Sequence, residues 1–312
     1  TGMMELWYAL VDLLPFEWAQ PGSMYFMKNA LLAVLVISPL FGILSTMVVH
    51  SRMSFFSDAL GHSALTGVGI GVLLGLADQS LVMVAFAVVF ALLMNRIRHS
   101  RLSSTDTVIG VFSSCGVALG LVLLSRGGGF SQYQSLLIGD ILSISKNQLL
   151  VLAATLVIVL LLWLLCFNRF HAVSISPALA RSKGIAAGWT DNLFVVVIAV
   201  VVMMAIRWVG LLIINAMLIL PAAAARNVAR GMRSYHLTAL IFSLFAGLTG
   251  LLLSYHNAVS TGPMIVLVAA SLIFYALGDL RFLPLMLCSL LLDYGVCAKL
   301  VRSTVQMKGR RL

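Results

Sequence analysis

Charge is what this sequence has least of. Asp, Glu, Lys and Arg make up 10% of its 312 residues, where a soluble domain carries roughly 25%. So few charges cannot cover a water-facing surface. With 61% hydrophobic residues and a mean hydropathy of +1.08, lipid is the solvent that fits. Acids are scarcer still: 10 Asp and Glu stand against 20 Lys and Arg, for a net charge of +10. In a soluble protein that excess points to nucleic acid. In a membrane protein it marks the loops that stay in the cytoplasm, and no nucleic-acid partner is expected. No phosphate loop (GxxxxGK followed by Ser or Thr) is present, so the chain is not expected to hydrolyse ATP by that route. HExxH and GxSxG are missing as well, which argues against an intramembrane protease or hydrolase. Cysteine is sparse. Cys115, Cys166, Cys288 and Cys297 lie in apolar stretches without CxxC spacing and read as small apolar fillers. A polar linker is also lacking, so one membrane domain is expected. A cleavable signal is not expected, because Glu5, Asp12 and Glu17 sit where a basic region and an apolar core belong.

What is present is a series of apolar runs, and a spanning helix needs about 20 such residues. Nine segments qualify as spans, at roughly 27–49, 56–76, 79–95, 106–125, 147–167, 191–206, 209–226, 236–255 and 261–277. Residues 5–24, with Trp7, Tyr8, Phe16 and Trp18 among acids, read as an interfacial helix. With the N-terminus outside and nine crossings, sixteen of the twenty Lys and Arg fall on the inner side. Residues 282–298 form a further short apolar run carrying Asp293. Letting it cross would move basic tail residues outside, so it is placed on the inner face. The chain thus divides into an amphipathic segment 1–24, a transmembrane domain 25–278 and a basic inner tail 279–312. Segment 126–146 is too polar to span, and its SLLIGDILSI is expected to form a short helix. The longest inner loop, 168–190, carries a helix start at Ser176-Pro177 and a stop at Gly184. A short basic helix there is a natural docking surface, with Pro177, Arg181, Lys183 and Gly184 as its candidate residues.

The sharpest polar feature is Asp58 and His62, four residues apart in the second span and so on one helix face. A carboxylate and an imidazole converging there suit zinc, manganese or iron, and ionisable groups inside a span usually mark a pathway. The alternative is that Asp58 caps the helix and His62 bonds a carbonyl; spacing alone leaves both open. Gly67, Gly71 and Gly75 form a small-residue stripe, read either as close packing or as the edge of a path. Asp140, near the outer face, attracts cations or bonds backbone amides. Asn215 and Pro221 lie inside the seventh span, where Pro221 invites a kink. Asp106 is expected to cap the fourth span. His50, His99, His171, His236 and His256 sit at helix ends or loops, and none is assigned a metal.

Four stretches resemble, in order, the permeases of the zinc/manganese/iron class of ABC importers. They are SRMSFFSDALGHSALTGVGIGVLLG, then STDTVIGVFSS with LLIGDILSIS, then WVGLLIINAMLILPAAAAR, and finally STGPMIVLVAASLIF. The resemblance covers roughly residues 27–277 and leaves out the acidic start and the long tail. It implies an all-α polytopic membrane protein of about nine transmembrane helices in a vitamin-B12-importer-like (type II ABC importer) bundle. It also implies a second permease copy or paralogue, two ABC ATPase subunits that bind the ATP at the inner face, and an extracytoplasmic metal-binding protein. No permanent cofactor is implied; the divalent ion is cargo. The site is the cytoplasmic membrane of a prokaryote. Asp58 and His62 match the family's paired polar residues and become the metal candidates, with Asn215 and Asp140 as weaker ones. A self-contained secondary cation transporter or channel, and a scaffold without flux, are the competing classes.

Overall fold

In the computed structural model, residues 2–13, 18, 20, 25–76, 79–99, 104–127, 139, 141–257 and 259–277 are described. Asp140, the tail 279–312 with its run 282–298, and Cys288 and Cys297 lie outside the described residues.

All regular structure among them is helical. The elements are α1 (Gly2–Val11), α2 (Tyr25–His50), α3 (Phe56–Leu73), α4 (Ser80–Arg98), α5 (Thr105–Gly127), a 3-10 turn (Ile141–Ser143), α6 (Lys146–Ile175), α7 (Pro177–Ser182), α8 (Ala187–Val209), α9 (Leu211–Val228), α10 (Met232–Asn257) and α11 (Thr261–Leu277). Each of the nine expected spans is a helix. By length and composition, seven helices among the described residues can cross a membrane: α2, α4, α5, α6, α8, α9 and α10. The other two differ for visible reasons. α3 is diluted by Asp58, His62 and its glycines, and α11 is short.

Two groups of helices pack side by side. α2, α9, α10 and α11 form one, and α3, α4, α5 and α8 the other; α3 meets α9 across the seam, while α6 lies over α2 and α8. α2 is the hub: nineteen of its residues are buried, Phe41, Leu40 and Leu44 completely or nearly so. α6 is the opposite case. Its thirty residues reach about 45 Å, beyond a hydrocarbon core of roughly 30 Å. Its outward face leaves Leu161, Leu164 and Leu165 more than half exposed, as lipid contact requires.

Within the second group the helices touch backbone to backbone. A Cβ on Gly120 of α5 would lie 2.5 Å from Leu65 Cβ, and one on Gly67 would lie 2.7 Å from Met83 Cα of α4. Thr66 Oγ1 uses the closeness to donate to the Gly116 carbonyl at 2.7 Å. The glycine stripe is therefore a packing surface. Gly75 is not part of it: at φ +68 with open space around it, it belongs to the turn after α3.

Three boundaries correct the expectations. The N-terminal helix ends at Val11 instead of running through 5–24, and it is tied to the bundle: Trp7 Nε1 donates to the Lys28 carbonyl and Tyr8 Oη to Asn29 Oδ1. Lys28, 1% exposed, pairs with the Asp12 carboxylate and donates to the Gln20 carbonyl at 3.2 Å. The loop expected at 168–190 is shorter because α6 continues to Ile175, its last turns projecting past the apolar stretch. Asp106 does not cap α5. Ser104 Oγ accepts from Thr107 N at 3.2 Å, and Asp106 sits inside the first turn, where its charge suits the helix dipole.

Candidate functional site

The entry to α3 is fixed by Met53 and Phe56, both fully buried. Its first turn has no side-chain cap, since Phe55 holds the N-cap position. Asp58 follows in that turn, and one turn on His62 places Nε2 3.5 Å from Asp58 Oδ2. α9 runs antiparallel to α3 here. Leu211 packs on Gly61, and one turn further Asn215 Nδ2 donates to Asp58 Oδ1 at 2.8 Å.

Three side chains from two helices thus converge, and Asn215 joins the pair across 157 residues of sequence. Asp58 is 39% and His62 22% exposed, so the chain does not seal the site by itself. Two buried polar atoms at it have no hydrogen-bond partner: His62 Nδ1 and Asn215 Oδ1. Together with the carboxylate these are oxygen and nitrogen donors of the kind divalent transition metals take. The set is not a closed cage. Among the described residues no group of three His, Cys, Asp or Glu gathers tightly enough to hold a metal ion. One formal charge, one imidazole and one amide make an open, incomplete shell.

The start of α9 is built by a second close approach. Gly210, at φ +82, turns the chain from α8 into α9, and a Cβ on Gly139 would lie 2.3 Å from Gly210 N. Residue 139 therefore presses on the turn that lies five residues before Asn215. The expected short helix of SLLIGDILSI appears among the described residues as the 3-10 turn Ile141–Ser143.

α7 matches its sequence signals. Ser176 Oγ accepts from Leu179 N at 3.3 Å, Pro177 occupies the first helical position, and Gly184 at φ +75 follows the last turn. Arg181 and Lys183 are exposed, beside Leu179 at 53% and Trp189 at 77% exposure.

Two clusters were not foreseen. Asp191 of α8 accepts from Asn95 Nδ2 at 2.8 Å and from Arg98 Nη2 at 3.0 Å, with His99 Nε2 at 3.6 Å, so it fastens the end of α4 to the start of α8. His50, His171 and His236, from α2, α6 and α10, meet at ring-centroid distances of 6.1 and 5.3 Å, tilted and edge-to-face, with Trp163 and Phe167 against them. The only advance signal for the histidines was that all three fall at helix ends on the same expected side.

A bundle of apolar helices, with a small polar set at the seam between two helix groups, defines a polytopic membrane permease. The chain belongs to the ABC 3 transport family, whose profile matches residues 23–278. It is 30% identical over 243 residues to the high-affinity zinc uptake system membrane protein ZnuB of Haemophilus influenzae, covering 78% of this chain and 93% of that one. It is 28% identical to the manganese import system permease protein ScaB of Streptococcus gordonii, covering 79% and 88%. Among solved structures, PsaBC from Streptococcus pneumoniae in complex with Fab superposes with a TM-score of 0.72 at 28% identity, over 91% of this chain and 99% of that chain. An inward-facing metal-chelate type ABC transporter, at 14% identity and a TM-score of 0.62, shares the fold. The chain is thus a multi-pass permease subunit of a prokaryotic ABC importer, not a self-contained secondary transporter.

Proposed function

We propose that this permease carries divalent transition-metal ions, zinc, manganese or iron, into the cell through a path lined by Asp58, His62 and Asn215. The observation that carries it is the convergence of the three side chains across the α3–α9 seam, with His62 Nδ1 and Asn215 Oδ1 left without partners. A transported ion must leave again, and few ligands suit that better than a tetrahedral cage. The zinc and manganese import named for the relatives supports the same cargo class.

The chain lies with its N-terminus outside and its C-terminus inside, the nine helices α2–α6 and α8–α11 crossing. ATP is bound and hydrolysed by separate ABC ATPase subunits, which dock at the inner face on α7 through Pro177, Arg181, Lys183 and Gly184. A second permease, identical or paralogous, closes the path. Support for that pairing comes from α5, which leaves Gly110, Ser114 and Ala118 exposed at four-residue spacing, the small-residue pattern of helix contact. An extracytoplasmic metal-binding protein delivers the ion, and Asp140 attracts it at the entrance.

The test is metal uptake normalised to assembled complex. Asp58→Ala and His62→Ala are each expected to abolish uptake with assembly nearly intact. If the pair is only scaffolding, the variants instead lose roughly 1 kcal/mol of stability and keep transport. Normal uptake by both would overturn the site.

A further inference from the structure

At the inner ends of α2, α6, α9 and α10 lies a cavity of about 740 Å³ that the transport path does not use. Its polar lining is cationic. Arg52 enters it from the turn after α2, and Arg226 and Arg230 from the end of α9 and the link that follows it, joined by His50 and Tyr235, and no acidic residue lines it. None of the three arginines is in an ion pair with a described carboxylate.

Arg52 sits there against the backbone's preference. It adopts φ +54 directly after α2, where Met53 N donates to the Val48 carbonyl at 2.9 Å. This is the left-handed position that ends helices, and glycine fills it without strain. An arginine at that position brings a guanidinium to the cavity that the turn itself does not need.

The rim of the cavity is apolar. Ile175 lines it and is 66% exposed. Beyond exposed Asn168 and Arg169 on α6 and exposed Arg233 on α10, the outer faces of the two flanking helices turn apolar, at Leu164 and Leu165 and at Leu237 and Ile241. Those faces meet acyl chains, while the guanidiniums lie inward of them. An occupant that satisfies both needs a negative head and an apolar tail. A cationic pocket between helix ends on the cytoplasmic side suits phospholipid headgroups, and the volume falls in the range of small-ligand sites. An acidic protein segment would answer the arginines but leave the apolar rim unmatched.

We propose that this cavity binds the phosphate headgroup of an anionic phospholipid of the inner leaflet, clamped by Arg52, Arg226 and Arg230. The proposal rests on the inward placement of these helix ends but not on the transported ion.

The experiment is lipid retention by the purified full chain, read by native mass spectrometry after exchange into detergent with phosphatidylglycerol or phosphatidylcholine. The wild type is expected to keep phosphatidylglycerol selectively and to lose it as salt is raised. Arg226→Gln with Arg230→Gln is expected to lower retention by about tenfold or more. Arg226→Lys with Arg230→Lys keeps most of it, which separates lost charge from misfolding. Arg233→Gln, an exposed neighbour outside the lining, leaves it unchanged. Equal retention of the two lipids, or full retention by the double Gln variant, would overturn the proposal. So would displacement by inorganic phosphate at equal concentration, which marks a soluble-anion site, or by added ATPase subunit, which marks a protein contact. Because the assay reads bound lipid, a failure here leaves metal transport unaffected, and the reverse also holds.

Discussion

Gly120→Ala puts a single methyl group where two membrane helices touch. Its carbon would lie 2.5 Å from Leu65 Cβ and 2.9 Å from the Thr66 backbone nitrogen. Carbon contacts are optimal at roughly 3.5–4.0 Å, so α3 and α5 must part by about 1 Å. Backbone is in the way, so no side-chain rotation relieves the clash. Parting also stretches the 2.7 Å bond from Thr66 Oγ1 to the Gly116 carbonyl. Overpacking costs roughly 1–3 kcal/mol and the bond about 1 kcal/mol, while alanine's helix preference returns about 0.5–1 kcal/mol. The net expectation is a loss of about 1–3 kcal/mol. Gly188→Ala, in the first turn of α8, meets nothing within 4 Å and keeps at most the favourable term, about 0.5–1 kcal/mol. The assay is thermal unfolding of the two purified variants beside wild type in one detergent. Gly120→Ala should melt below wild type and Gly188→Ala at or above it. A Gly120→Ala protein that melts at or above wild type would refute the claim that glycine holds α3 against α5.

Asp191→Ala should destabilise by roughly 3–5 kcal/mol in the same melt, because it strands Arg98, which is 10% exposed; an unchanged melting point would mean the cluster does not fasten α4 to α8. Arg181→Glu with Lys183→Glu should reduce copurification of the ATPase subunit without altering the melt, since both side chains are exposed; full recovery of the complex would place docking elsewhere.

Positions of the helices were legible because apolar length is a coarse signal that survives local detail. The ends of α7 were legible too, since Ser176, Pro177 and Gly184 each carry a backbone preference. Boundaries set by long-range partners were not. The N-terminal helix stops at Val11, and the segment after it is held by buried Lys28, whose pairing with Asp12 no local pattern announces. The site divides the same way. Asp58 and His62 share a helix, so spacing alone put them together. The bond from Asn215 depends on α9 running antiparallel to α3 in one register, and no single stretch of sequence encodes that register. Asp191 escaped notice because its partners Asn95 and Arg98 lie more than ninety residues away.

If the proposed path through Asp58, His62 and Asn215 carries the ion, the electrostatics of the seam favour passage over storage. A cation at Asp58 faces the first turn of α3, where unsatisfied N–H groups and the helix dipole present positive charge. No side chain caps that end, so the Asp58 carboxylate both offsets the dipole and meets the ion. A divalent ion therefore finds less than one full compensating charge, too little for tight retention. The third ligand stands on the other helix group. Asp58 and His62 move together on α3, while Asn215 belongs to α9 and follows α2, α10 and α11. A shift of one group against the other breaks the 2.8 Å contact between Asp58 and Asn215 and leaves the intrahelical pair intact. On that reading, release of the ion would follow a shift at the α3–α9 seam, where Leu211 Cδ1 fills the space that a Cβ on Gly61 would take.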